Sequence, residues 1–157
     1  MDQSLARFAE LARAYCHWAE GMPASAQEDA KLARLHLARL YAQALELSEG
    51  ECGDDPREIS HEAWRCVFER FGALPVNYYG TCFSPSIIPA ESSIGDLADD
   101  LADIWRDLKE GLSLFDAGHV DAAQFEWRLH FNIHWGRHAA SALYVLQCWA
   151  GESPHGG

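Results

Sequence analysis

The sequence predicts an all-α fold, a single-domain bundle of about five helices with a long central helix at the C-terminal end. Three observations carry this prediction. Apolar residues recur at three- and four-residue steps through most of the chain. Capping residues stand at the starts of those runs. No segment shows the two-residue alternation of a half-buried strand. With 157 residues, 48% of them apolar, the chain can bury a core without disulfide or metal staples.

Leu5, Phe8, Leu11, Tyr15 and Trp18 share one face of a first helix, with His17 turned away from it. Pro23 ends that helix. Ser25 and Glu28 form a capping box for a second, in which Leu32, Leu35, Leu37, Leu40, Tyr41, Leu45 and Leu47 surround much of the circumference and predict a deep position. After the polar SEGECGDD, Asp55, Pro56 and Glu58 read as the N-cap, first-turn proline and capping acid of a shorter helix ending near Gly72. LPVNYYGTCFSPSIIPAESS has no period and contains Pro75, Pro85 and Pro89. It reads as a long loop whose aromatics Tyr78, Tyr79 and Phe83 cover either the bundle or a ligand.

Ser93 and Asp96 cap a fourth helix with a core face of Leu97, Leu101, Ile104, Trp105, Leu108, Leu112 and Phe115. Gly118 ends it as a left-handed residue. The fifth helix, from Val120 to about Trp149, is apolar on most sides, as a central helix should be, and runs antiparallel to the fourth. Residues 1–151 thus form one domain, and 152–157 a flexible tail.

The net charge of −12 repels phosphate backbones and anionic lipid, which argues against nucleic acid and membrane as partners. The five cysteines make no CxxC pair and no zinc-ligand spacing, and three lie inside apolar helical patterns as small hydrophobes. MDQSLARFAELAR has no apolar leader region, and no uncharged run is long enough for a membrane span. The expected setting is a reduced cytoplasm, with no disulfide formed.

HFNIHWGRH stacks His130, His134 and His138 at four-residue steps. The helical wheel puts His138 among Trp127, Phe131 and Trp135, hence buried, with His134 half buried and His130 nearer the polar edge. In an antiparallel hairpin about Gly118, Asp107 is level with His130, Asp103 with His134, Asp100 with Arg137 and Asp99 with His138. The same wheel turns those aspartates away from the core face of their helix, so a solvated acidic face is expected. Gly136 inside a helix costs about 1 kcal/mol against alanine and implies close approach of another backbone or a ligand, with Trp127 and Trp135 as pocket walls, or tight helix packing.

Three chemistries compete for the stripe. A metal site has precedent in HxxxH facing a neighbour's carboxylates, but Glu126 stands four residues before His130 where the usual carboxylate-bridged pattern has Glu-x-x-His, and HExxH is absent. Acid–base catalysis has no nucleophile placed by a motif. A structural network in which His138 and Arg137 bond to carboxylates is the expected arrangement, with Asp99, Asp100 or a backbone carbonyl as the partner of His138. The ligand- or partner-binding candidates are Tyr78, Tyr79, Asp100, Asp103, His134, Trp135, Arg137 and His138. No catalytic or metal-ligating residue and no cofactor is assigned.

The expected function is a non-enzymatic cytoplasmic protein that binds an unidentified protein partner or small ligand; its size and acidity allow an immunity-type protein. The alternative is a metal-dependent or acid–base bundle enzyme using His130, His134 and His138. A polar cavity open to solvent beside His134 would favour the enzyme, and a closed, fully bonded network the binding protein.

The segments LARFAELARAYCHWAEG, ERFGALPVNYYG, SIGDLADDLADIWRDLKEGL and EWRLHFNIHWGRHAASAL together resemble an uncharacterised bacterial family of all-helical domains of unknown function, about 150 residues long. The match is specific in DLADIWRDLK and HWGRHAASAL. It implies a helical fold and a cytosolic bacterial setting, and assigns no activity, cofactor or partner to any residue.

Overall fold

The computed structural model describes residues 2–152. Its elements are α1 (Gln3–Glu20), α2 (Ala26–Leu45), α3 (His61–Phe71), β1 (Tyr78–Cys82), β2 (Ser92–Asp96), α4 (Leu97–Asp116), α5 (Val120–His130), a π-helical turn (Phe131–Trp135) and α6 (Gly136–Glu152). Glu152 closes α6; the rest of the expected tail lies outside the described residues. Asp2, Ser25, Ser60 and Asp96 each accept a backbone N–H as N-caps. The third helix therefore starts at Ser60, not near Asp55 as the proline suggested, because Ser60 supplies the cap for Ala63 N–H.

The loop expected between the third and fourth helices is an antiparallel hairpin, β1 paired with β2, in which Tyr79 faces Gly95 and Gly80 faces Ile94. This corrects the expectation of no strand. Alternation is invisible in YYGTC and SSIGD because the hairpin has little apolar burial to pattern.

The hub of the bundle is α4, which packs against α1, α3, α5 and α6. The long C-terminal helical run, Val120–Glu152, packs against both α4 and α2, with Trp127, Trp135 and Leu146 fully buried. Helix α2 is more peripheral than its leucines suggested: Leu37 and Leu40 are buried, but Leu35 and Leu45 are exposed. Helices α4 and α5 are antiparallel neighbours joined at Gly118, whose φ of +89° is the left-handed conformation glycine tolerates. Trp127 donates its indole N–H to the Leu108 carbonyl (3.2 Å), and a methyl at Gly111 would overlap that indole. Trp135 donates to the Trp127 carbonyl (3.2 Å) and Tyr15 to that of Leu101 (2.8 Å), so the buried aromatics leave no orphaned donors.

The five cysteines carry free thiols, and only Cys16 is buried; Cys66 and Cys148 are exposed, against the expectation from their apolar surroundings in sequence. Among the described residues, no helix is long and apolar enough to cross a membrane.

Candidate functional site

The last helix is not continuous. At residues 131–135 it widens into a π-turn, and the Gly136 N–H bonds back five residues to the Phe131 carbonyl. A side chain at Gly136 would collide with that carbonyl and the Phe131 ring. The glycine thus serves the helix's own wide turn, not a neighbouring backbone or a ligand. The extra residue rotates everything after it by roughly 100° relative to an unbroken helix. Ala139, Ala142 and Leu146 come to the core, and His138 leaves the aromatic stripe for its edge. There its side chain is 23% exposed and that of His134 33%, so His138 is half buried rather than buried.

The rotation also changes the expected pairing with α4. Of the expected partners of His138, Asp100 is the one used: His138 Nδ1 bonds to Asp100 Oδ1 at 2.6 Å. His134 Nδ1 bonds to Asp107 Oδ2 at 2.6 Å, one turn beyond its level partner. The Nε2 atoms of both rings face Asp103 Oδ2, at 3.3 Å from His134 and 3.5 Å from His138. His130 stays one turn away, its Nδ1 3.4 Å from Glu126 Oε2 without hydrogen-bond geometry.

These aspartates do not form a solvated face. Asp100 and Asp107 are buried, and the Asp103 side chain is 13% exposed. The wheel misled because α4 is enclosed on several sides, so even its polar stripe meets protein. Asp103 is oriented from behind: Trp64 Nε1 (2.8 Å) and Arg106 (2.9 Å) both donate to its Oδ1, leaving Oδ2 toward the imidazoles. The Tyr79 hydroxyl donates to Asp100 Oδ2. Its ring lies across Gly95, where a Cβ would overlap it, so the glycine creates the space through which Tyr79 reaches α4.

The electrostatics follow from this crowding. The Asp103 and Asp107 carboxylates flanking the His134 ring push its pKa up to about 10 despite partial burial, so it holds its proton at neutral pH. Burial works to raise the Asp103 carboxyl, but its bonds to His134 and Trp64 and the charge of Arg106 hold it below the usual range. Asp99 moves the other way, raised by burial and by repulsion from Asp103, Asp100 and Asp96. The Tyr79 hydroxyl is raised by burial and by the adjacent Asp100.

The group borders a cleft of about 400 Å³ between the hairpin, the N-terminal turn of α4 and the start of α6. Tyr79, Asp100, His134, Arg137 and His138 line it, so the structure brings together most of the residues singled out in the sequence. Asp103 lies beneath the two imidazoles. Arg137 reaches the Phe83 carbonyl (3.3 Å) and ties the hairpin to α6, instead of pairing with Asp100. Tyr78 points to solvent on the hairpin's outer side. Trp135 is 0% exposed and belongs to the core; neither it nor Trp127 is a pocket wall.

Trp64, Arg106 and Gly95 had no signal in the sequence, because their roles depend on a side chain far away in the chain. Asp99 and Asp107 were visible as members of the acidic stripe. A larger groove of about 710 Å³ lies between α1, α4 and residues 57–60. Four of its charges are paired, Arg13 with Asp116 (2.6 Å) and Lys109 with Glu20 (2.5 Å), and it gathers no comparable cluster of imidazoles and carboxylates.

Chemically, Asp103, His134 and His138 offer one carboxylate oxygen and two imidazole nitrogens within 4.8 Å of one another, a set able to hold a cation or exchange protons with a bound molecule.

Fold and site define a class: an all-helical bundle with a hairpin beside a histidine–aspartate cleft. The chain belongs to the family described as "Domain of unknown function (DUF5063)", whose model matches residues 1–150. Its fold is similar to the crystal structure of protein BF1032 from Bacteroides fragilis, a structural-genomics target, with a TM-score of 0.78, 17% identity, and coverage of 94% of this chain and 95% of that one. No curated protein matches the chain.

Proposed function

We propose that the cleft beside the hairpin is the ligand site of this protein, and that its ligand is a small polar molecule contacting His134, His138, Asp100 and Tyr79. One observation carries the reading. Two imidazoles and a buried set of carboxylates are held in fixed orientations, yet their cluster borders an open cleft instead of being sealed in the core. A purely structural network gains nothing from facing solvent. The same openness supports the acid–base or metal-assisted alternative more than a closed network would, and both place the ligand in the same cleft. The free thiols support a reducing, cytoplasmic setting.

The test is a fragment screen by protein-observed NMR on metal-free protein. Fragments should shift resonances of Tyr79, Ile94 and His138 together. Hits confined to the groove around Arg13 and Lys109 would refute the assignment.

A second reading, a protein partner docking on the hairpin away from the cleft, is supported by the exposure of Tyr78, Ile87 and Ile88. It predicts that Ile87→Ser with Ile88→Ser abolishes partner binding while fragment binding in the cleft persists.

A further inference from the structure

Resting on the reading of the cleft as the binding site, we propose that Asp103 Oδ2, His134 Nε2 and His138 Nε2 bind one divalent first-row transition cation, leaving at least one coordination position for the cleft ligand.

The argument begins with the two nitrogens of each ring. Both Nδ1 atoms make short contacts of 2.6 Å with carboxylates, His134 with Asp107 and His138 with Asp100. Histidine metal ligands are held in this way: the outer nitrogen donates to a carboxylate and the other nitrogen turns its lone pair to the ion, which at His134 must first displace the proton on Nε2. Having both rings so arranged is a second observation, independent of the gathering of ligand atoms.

Spacing is the third. The Nε2 contacts with Asp103 Oδ2, 3.3 and 3.5 Å, are too long for strong charge-assisted hydrogen bonds. For metal–ligand bonds of about 2.0–2.1 Å, a tetrahedral arrangement separates neighbouring ligand atoms by about 3.3–3.4 Å. Asp103 Oδ2 thus stands near the separation from each imidazole that a shared ion requires, and the three residues' ligand atoms all lie within 4.8 Å of one another. Asp103 Oδ2 is free for it because Trp64 and Arg106 occupy Oδ1.

Charge points the same way. Asp99, Asp100, Asp103 and Asp107 outnumber the one arginine bonded within the cluster, Arg106, a balance that an added cation improves. Two imidazoles and one carboxylate suit Zn²⁺, Fe²⁺ or Mn²⁺, whereas Mg²⁺ and Ca²⁺ prefer all-oxygen sets. Three protein ligands are also one fewer than a closed structural zinc site uses. An ion here borders the cleft, because both histidines line it.

The experiment is calorimetric titration of chelator-treated protein with Zn²⁺ alone, repeated with Co²⁺ and followed by visible absorption. One equivalent should bind with micromolar or tighter affinity. His134→Gln, His138→Gln and Asp103→Asn should each weaken it at least 100-fold. Asp107→Asn and Asp100→Asn, one shell further out, should weaken it about 10- to 100-fold. His17→Gln, on the exposed face of α1, should leave it unchanged. Binding that is absent, or that falls equally in His17→Gln and His134→Gln, overturns the proposal. Should the cluster variants fail to fold, Co²⁺ added to wild-type protein must shift the imidazole resonances of His134 and His138, and unshifted resonances overturn it equally. The fragment screen in metal-free protein reads the cleft separately, so failure of the metal leaves that reading standing, and failure of the cleft leaves the metal affinity intact.

Discussion

Asp29 and Asp103 are built into the bundle with the same kinds of neighbours and put to different ends. Each accepts an indole N–H, from Trp18 (3.1 Å) and Trp64 (2.8 Å), and each accepts an arginine, Arg70 (2.9 Å) and Arg106 (2.9 Å). Around Asp29 every lone-pair direction is used. Arg70 binds both oxygens, Trp18 takes Oδ1 and the Ala24 N–H takes Oδ2, with side-chain exposures of 3% and 9% for Asp29 and Arg70. Around Asp103 the tryptophan and arginine share Oδ1, and Oδ2 is left facing two imidazoles beside an open cleft. A charge pair closed on itself pins α2 to α3. One left with spare acceptor capacity next to solvent is able to receive something else.

The largest break in this comparison comes from Arg70→Ala. It strands Asp29 as a buried charge and should destabilise the fold by about 3–5 kcal/mol in urea titrations. Arg106→Ala, from a side chain 34% exposed, should cost less than about 1 kcal/mol. Equal losses would mean that the two aspartates are not differently enclosed.

Gly95→Ala comes next. The added methyl must displace the Tyr79 ring, at about 1–3 kcal/mol, and should release the Tyr79–Asp100 bond, seen as a chemical-shift change at both residues. An unchanged Tyr79 environment would show that the hairpin yields instead.

Acid sharpens the contrast. Burial works to raise the Asp29 carboxyl, but Arg70, Trp18 and Ala24 donate to it and hold it below its ordinary value of 3.8. A carboxyl lowered in the folded state adds stability above its unfolded pKa, and loses it as pH falls through the folded one. The melting-temperature gap between wild type and Asp29→Asn should therefore narrow by a few degrees as pH drops below about 4. A gap constant to pH 2.5 would contradict the role given to the pair.

The smallest effect has the opposite sign. The raised Asp99 carboxyl means that folding disfavours its charge, so Asp99→Asn should stabilise metal-free protein by up to about 1 kcal/mol. A loss of that size would show that Asp99 has a partner it depends on.

The sequence by itself determined the helices, the caps at Ser25 and Asp96, the α4–α5 hairpin at Gly118 and the presence of one histidine stripe and one acidic stripe. These rest on local physics: periodic burial, a side-chain oxygen reaching its own helix N-terminus, and a glycine tolerating φ of +89°. Tertiary structure decided that the stripes meet, and in what register. A wheel assumes a constant turn, whereas the π-turn at residues 131–135, packed against α4 and through Phe131 on Tyr41 of α2, adds a residue, so the wheel places His138 in the core with the tryptophans. Trp64 and Gly95 were illegible for the same reason: the indole serves Asp103, 39 residues away, and the glycine serves a ring across the hairpin. Whether a carboxylate in the middle of a helix faces water, an arginine or an imidazole depends on which other helices enclose it, and a single helix's periodicity does not contain that information.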